Sequence, residues 1–150
     1  MKAYTNILVP TDGSALSLKA AKQAASLAKD LKAKVTAVYV VQPWMPPAAD
    51  ESAVVASFAY AEAAYRKRAE ANADKALERV ASAAGTGVKC EKVRVNALQP
   101  WEGIVKTAKD RKCDLIVMAS HGRSALGGLV LGSETTKVLS HSKTPVLVCR

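Results

Sequence analysis

The stretch that decides the fold is Asp114–Arg150, DLIVMASHGRSALGGLVLGSETTKVLSHSKTPVLVCR. Leu115 to Ala119 is an apolar run, rich in Ile and Val and too short for a helix core, so it reads as a fully buried strand. Ser120-His121-Gly122 is a polar break at the strand's carboxyl end. Nine residues, Arg123 to Leu131, lead to Gly132-Ser133. Ser133 is expected as the N-cap of a helix on which Val138 and Leu139 supply apolar bulk. Thr144-Pro145 stops that helix, and Pro145 to Cys149 is a last strand. The order is strand, Gly-containing loop, helix, strand. Such a loop lies where open parallel sheets bind ligands, and the helix behind it starts with N–H groups that attract anions.

Outward from this stretch the chain alternates. Tyr4 to Val9 reads as strand one, followed by a turn at Pro10-Thr11-Asp12-Gly13-Ser14. Helix one carries Leu16, Ala20, Ala24, Leu27 and Leu31 at spacings of one buried stripe. Lys34 to Val41 is strand two, with β-branched residues along its length. Gln42 to Ala56, with Pro43, Pro46, Pro47 and a stranded Trp44, reads as a loop, either surface packing or a lid near the ligand mouth. Helix two runs from about Ser57 to Ala84. Its expected buried stripe is Phe58, Ala61, Tyr65, Ala69, Ala73, Ala76 and Val80, with Gly85 as its stop. Val88 to Val95 alternates apolar and polar, so strand three should be wet on one face or one edge. Pro100 and Trp101 open helix three, with Ile104, Val105 and Ala108 toward the core.

This alternation predicts an α/β chain: one domain, a five-stranded parallel sheet with helices on both faces, strand order 3-2-1-4-5. The chain reverses direction between strands one and four. A crevice is expected there, above Pro10-Thr11-Asp12 and Ala119-Ser120-His121-Gly122.

Composition narrows the function classes. The 150 residues suit one domain. Apolar residues are 49% but aromatics only 5%, so the core must be built from Ala, Val, Leu and Ile. No apolar run reaches the roughly 18–20 residues of a membrane span. The N-terminus, MKAYTNILVP, runs straight into a strand without a signal-peptide pattern, so a cytoplasmic location is expected. Cys90, Cys113 and Cys149 are widely spaced, and with His121 and His141 they form no metal-ligand set. Net charge is +9, from 22 basic and 13 acidic residues. That field favours polyanionic ligands. The cations scatter along helices, as at Lys19, Lys22, Lys29 and Lys32, and no nucleic-acid-binding pattern accompanies them.

Two features face the expected crevice. Gly122 and Gly132-Ser133 can offer main-chain N–H groups to phosphate, and Asp12 can accept hydrogen bonds from a ribose or base, or instead cap helix one. The chain has neither a GxxxxGK[ST] loop nor a GxGxxG fingerprint.

The opening ILVPTDGSALSLKAA and the closing SHG, nine residues, GS and PVLVCR resemble the universal stress protein family, over essentially all 150 residues. That family's ATP-binding pattern is Gly, two residues, Gly, nine residues, Gly, then Ser or Thr. Here Ala119 stands at the first position, while Gly122, Gly132 and Ser133 match with the right spacing. The resemblance implies a fold like the adenine nucleotide alpha hydrolases and a site for ATP, with or without Mg2+. It implies that Pro10, Thr11 and Asp12 line the adenosine end and that Val40 presents backbone to the adenine. Met118 and Ala119 would flank base and ribose. Gly122, Gly132 and Ser133 would hold phosphates, with His121, Arg123 and Glu134 close by. It also implies a homodimer through strand five, at Val146, Leu147 and Val148. The expected activity is nucleotide binding in a stress response or signalling, with little or no turnover. The alternatives are a slow ATPase or nucleotide-transferring enzyme, and a nucleotide-free member acting through protein partners. No catalytic residue and no membrane partner are expected.

Overall fold

The strands of this chain alternate their side chains between two helix layers. The computed structural model describes residues 3–46, 55–122 and 131–150. Its strands are β1 (Asn6–Pro10), β2 (Lys34–Val41), β3 (Cys90–Asn96), β4 (Leu115–Ala119) and β5 (Val146–Cys149). They pair in parallel in the order β3-β2-β1-β4-β5, as the alternation predicts. The helices are α1 (Ala15–Leu31), α2 (Val55–Ala84), α3 (Pro100–Asp110) and α4 (Ser133–His141). Ile7, Val9, Val35, Ala37, Leu115, Val117 and Ala119 form one core layer with α1 and the end of α2. Leu8, Val38, Ile116 and Met118 form the other, with Ile104 and Ala108 of α3 and Val138 of α4.

At the amino ends of the strands, Asp114 ties β1 to β4. Its carboxylate accepts the Thr5 N–H at 2.9 Å, the Thr5 hydroxyl at 2.7 Å and the Asn6 N–H at 3.0 Å. Burial alone would raise this carboxyl. The Asn6 amide and the Thr5 groups more than reverse that and hold it below its ordinary value. Beside it the buried Asn6 accepts the Thr36 hydroxyl at 2.8 Å and donates to the Arg111 carbonyl at 2.9 Å.

Several local expectations shift. β1 starts later and ends on Pro10, whose missing N–H costs nothing at a strand end. On α1 the fully buried side chains are Ser17, Ala20, Ala21, Ala24, Ala25 and Ala28, while Leu16, Leu27 and Leu31 are half-buried around them. Small side chains hold the helix close to the sheet, and the leucines flank the contact. Ser14, not Asp12, caps α1: its Oγ accepts the Ser17 N–H at 3.1 Å. The expected stripe of α2 is buried only in its second half, at Ala73, Ala76 and Val80, joined by Leu77, which the sequence reading left out; Ala61 and Tyr65 are exposed. A helix of 30 residues is about 45 Å long, whereas strands of this length span at most about 26 Å, so α2 outruns the sheet. Trp44 is not stranded, because its ring lies 5.8 Å from that of Phe58. β3 takes the outer position that its alternating pattern requires, and its Lys92 and Arg94 pair with Glu78 and Asp74 of α2. Val138 is fully buried but Leu139 is exposed. Among the described residues no helix is long and apolar enough to cross a membrane.

Candidate functional site

The reversal between β1 and β4 brings two loops together at the carboxyl ends of the strands. On the β1 side, the Thr11 N–H extends the ladder to Val38 O at 2.9 Å. The Thr11 hydroxyl lies 3.1 Å from Ser17 Oγ and accepts the Gly13 N–H at 3.2 Å. Asp12 Oδ1 accepts the Ser14 N–H at 2.9 Å, which orients the carboxylate. From α2, Arg79 Nη1 reaches the Gly13 carbonyl at 3.1 Å.

On the β4 side, the Ser120 N–H donates to Cys149 O at 2.7 Å and so joins the loop to β5. Burial pushes the Cys149 thiol up, against the pull of the Lys19 ammonium, so it is no ready nucleophile. Ser120 Oγ and His121 Nδ1 are 3.1 Å apart. The Gly132 N–H donates to Ser120 O at 2.7 Å, and the Thr135 hydroxyl donates to Ala119 O at 3.0 Å. These bonds set the start of α4. Gly132 is the N-cap, with no side-chain cap bond, and Ser133 is the first helical residue rather than the cap. The backbone is still extended at 132, where it returns to Ser120.

The two loops meet at Asp12 and Gly122. A Cβ at Gly122 would sit 2.5 Å from Asp12 Oδ2, so the bare α-carbon is what admits the carboxylate. Ala119, at the motif's first position, lies in β4 and its methyl belongs to the core layer under α1. Met118 is buried in the opposite layer. Val40 lies at the carboxyl end of β2 against Gly103 of α3, where a Cβ would come 2.7 Å from Val40 Cγ2. A cavity of about 260 Å³ also opens at this end of β2, between it and α2, lined among others by Val40, Tyr65, Arg68 and Asn72.

The structure therefore brings Pro10, Thr11, Asp12, Met118, Ala119, His121, Gly122, Gly132 and Ser133 to one end of the sheet, with Val40 beside them on β2. Arg123, and with it residues 123–130 of the nine-residue segment, lies outside the described residues, as does the Pro47 end of the loop after β2. Glu134 follows Ser133 in the first turn of α4 and reaches α3: its Oε2 accepts the Trp101 N–H at 2.8 Å and Lys137 Nζ lies 3.4 Å from its Oε1. That link joins residues 33 positions apart and leaves no local sequence signal. The Ser120 partner of His121 is legible as its sequence neighbour, but only geometry shows the contact.

Residues 3–150 match the model of the universal stress protein family. The chain belongs to that family. It is 35% identical to a universal stress protein of Methanocaldococcus jannaschii, over 98% of this chain and 82% of that protein. It is 31% identical to one of Bacillus subtilis, over 98% and 99%. Among solved structures, it matches universal stress protein UspA from Lactobacillus plantarum with a TM-score of 0.72 and 29% identity, covering all of both chains. A universal stress protein solved in complex with cAMP matches with a TM-score of 0.66 and 28% identity, over 99% of this chain and 98% of that one.

Proposed function

We propose that this universal stress protein binds an adenine nucleotide, ATP in the cytoplasm, at the carboxyl ends of β1, β4 and β2, and serves a stress or signalling role through that bound state. The observation that carries the reading is the meeting of Asp12 with Gly122 beside the N-terminus of α4. In this reading the Asp12 carboxylate takes the sugar, and main-chain N–H groups at a helix start favour phosphates. The related universal stress protein in complex with cAMP supports an adenine nucleotide as the ligand class. The methyl of Ala119 packs in the core layer under α1, which supports the reading at the one motif position that departs from glycine. Efficient turnover is not part of the proposal, because Glu134 is committed to Trp101 and Lys137.

We also propose a homodimer through β5. Among the described residues that strand is the outer member of the sheet, paired with β4 alone, and Leu147 on it is 46% exposed.

The test is to denature the purified protein, analyse the supernatant for adenine nucleotide, and measure the melting shift with Mg-ATP. At one hundred times the dissociation constant, binding stabilises by about 2.7 kcal/mol. No released nucleotide and no shift with millimolar Mg-ATP or cAMP would overturn the reading.

A further inference from the structure

Helix α3 begins without a side-chain cap of its own. Gln99 is its N-cap but makes no side-chain cap bond, and Pro100 has no N–H to satisfy. The N–H groups of Glu102 and Gly103 share the Gln99 carbonyl, at 3.1 and 3.4 Å. The N–H of Trp101 takes Glu134 Oε2 from α4 at 2.8 Å. Glu134 lies in the first turn of α4, so its charge sits beside the N-termini of two helices, where both dipoles favour an anion. Lys137 Nζ braces the pair, 3.4 Å from both Glu134 Oε1 and Gln99 Oε1. The Trp101 ring, 4.3 Å from that of His141, is a second contact between the helices. Two residues further along α3, Gly103 packs directly on Val40.

These contacts form one path. It runs from the turn of Gly132, Ser133 and Glu134, through Trp101 and Gly103, to Val40 at the carboxyl end of β2. We infer that Glu134 is a positioning residue of the nucleotide site: it sets the base end from the phosphate end through α3, without itself touching ligand or metal. The inference rests on the nucleotide reading above and assigns one residue its role within it.

The experiment titrates the full chain with adenosine and, separately, with Mg-ATP, and compares Glu134→Ala, Glu134→Gln and Gly103→Ala with the parent. Glu134→Ala should weaken both ligands by the same factor, about five- to tenfold, the size of a deleted helix cap. Glu134→Gln retains an amide oxygen for the Trp101 N–H and should stay within about twofold of the parent. Gly103→Ala leaves Glu134 in place but presses on Val40, and should weaken adenosine as Glu134→Ala does. It also carries the test if Glu134→Ala does not fold. Weaker Mg-ATP binding with unchanged adenosine, in both Glu134 variants, would mean that Glu134 meets the phosphates or their metal, and would overturn the inference. So would a lower melting temperature with both affinities unchanged. A parent protein that binds neither ligand overturns the nucleotide reading as well, whereas a parent that binds and a Glu134→Ala variant that binds equally well overturn this inference alone.

Discussion

The Asp12 carboxylate rests against the α-carbon of Gly122, so close that a methyl there would lie 2.5 Å from Asp12 Oδ2. The contact spans the reversal between β1 and β4, and the obstructing atom is the end of a side chain rather than backbone. Gly122→Ala should therefore displace Asp12 and leave the fold intact. Adenosine affinity is expected to fall by about tenfold, while stability stays within about 0.5 kcal/mol of the parent. Calorimetric titration beside thermal melting checks both. Unchanged adenosine affinity would remove Asp12 from the site.

Ala119→Gly restores the motif's first glycine, and intuition from the pattern says that it should improve binding. The structure says otherwise. Ala119 is a strand residue whose methyl packs in the core under α1, so its removal costs about 1 kcal/mol in burial and chain entropy. Nucleotide affinity should not rise. A variant that binds several times more tightly at unchanged stability would show that the methyl does face the ligand.

How far the sequence is readable follows from the range of each interaction. β4 and β5 are legible because a run of apolar residues bounded by Asp114, Ser120 and Pro145 is a local pattern. The strand order follows from alternation, and the outer place of β3 from its half-polar pattern. The N-terminal half of α2 misleads because Phe58, Ala61 and Tyr65 continue the buried period beyond the end of the sheet; periodicity reports a face, not whether anything covers it. The start of α4 differs by one residue from its expected place, because the bond from Gly132 back to Ser120 outweighs the intrinsic capping preference of Ser133. The bond between Glu134 and Trp101 depends on how two helices dock, and no residue near either one announces it.

Thr36 and Asn6 make a buried polar pair at the amino ends of β2 and β1, with the Thr36 hydroxyl donating at 2.8 Å. Thr36→Val conserves shape but leaves Asn6 Oδ1 without that donor in a dry environment. The expected destabilisation is about 1–3 kcal/mol, measured by denaturant unfolding. A variant as stable as the parent would mean that water or a rotated Asn6 takes over the bond.

Asp114 supplies the pH dependence. Burial works against its charged form, but the Asn6 amide and the Thr5 groups outweigh that and hold its carboxyl below the ordinary value. A carboxylate with a folded pKa below its unfolded one contributes stability above the unfolded value, about 3.9, and loses it as pH falls through the folded value. Asp114→Asn should therefore be less stable than the parent at neutral pH, with the gap closing as the pH falls below the unfolded value. A constant gap across that range would assign the effect to the missing hydrogen bonds alone.

The outer strand β5 is where two copies of the chain are expected to pair. Val146 packs against the core layer of α3 and α4, so charging it would damage the fold and confuse the outcome. Leu147 is the better probe: it is 46% exposed, and its partner in the ladder is Val117 of β4. A glutamate there puts like charges face to face wherever two copies of β5 pair. The repulsion costs roughly 0.2–1 kcal/mol per opposed pair, and the apolar packing of the two leucines disappears with it. Leu147→Glu should convert a dimer into a folded monomer in light scattering. Adenosine affinity should be preserved, because β4 stands between β5 and the strand that leads to Asp12, and β2 with Val40 lies one strand further still. A parent protein that is monomeric, or a variant that remains dimeric, would move the interface away from β5.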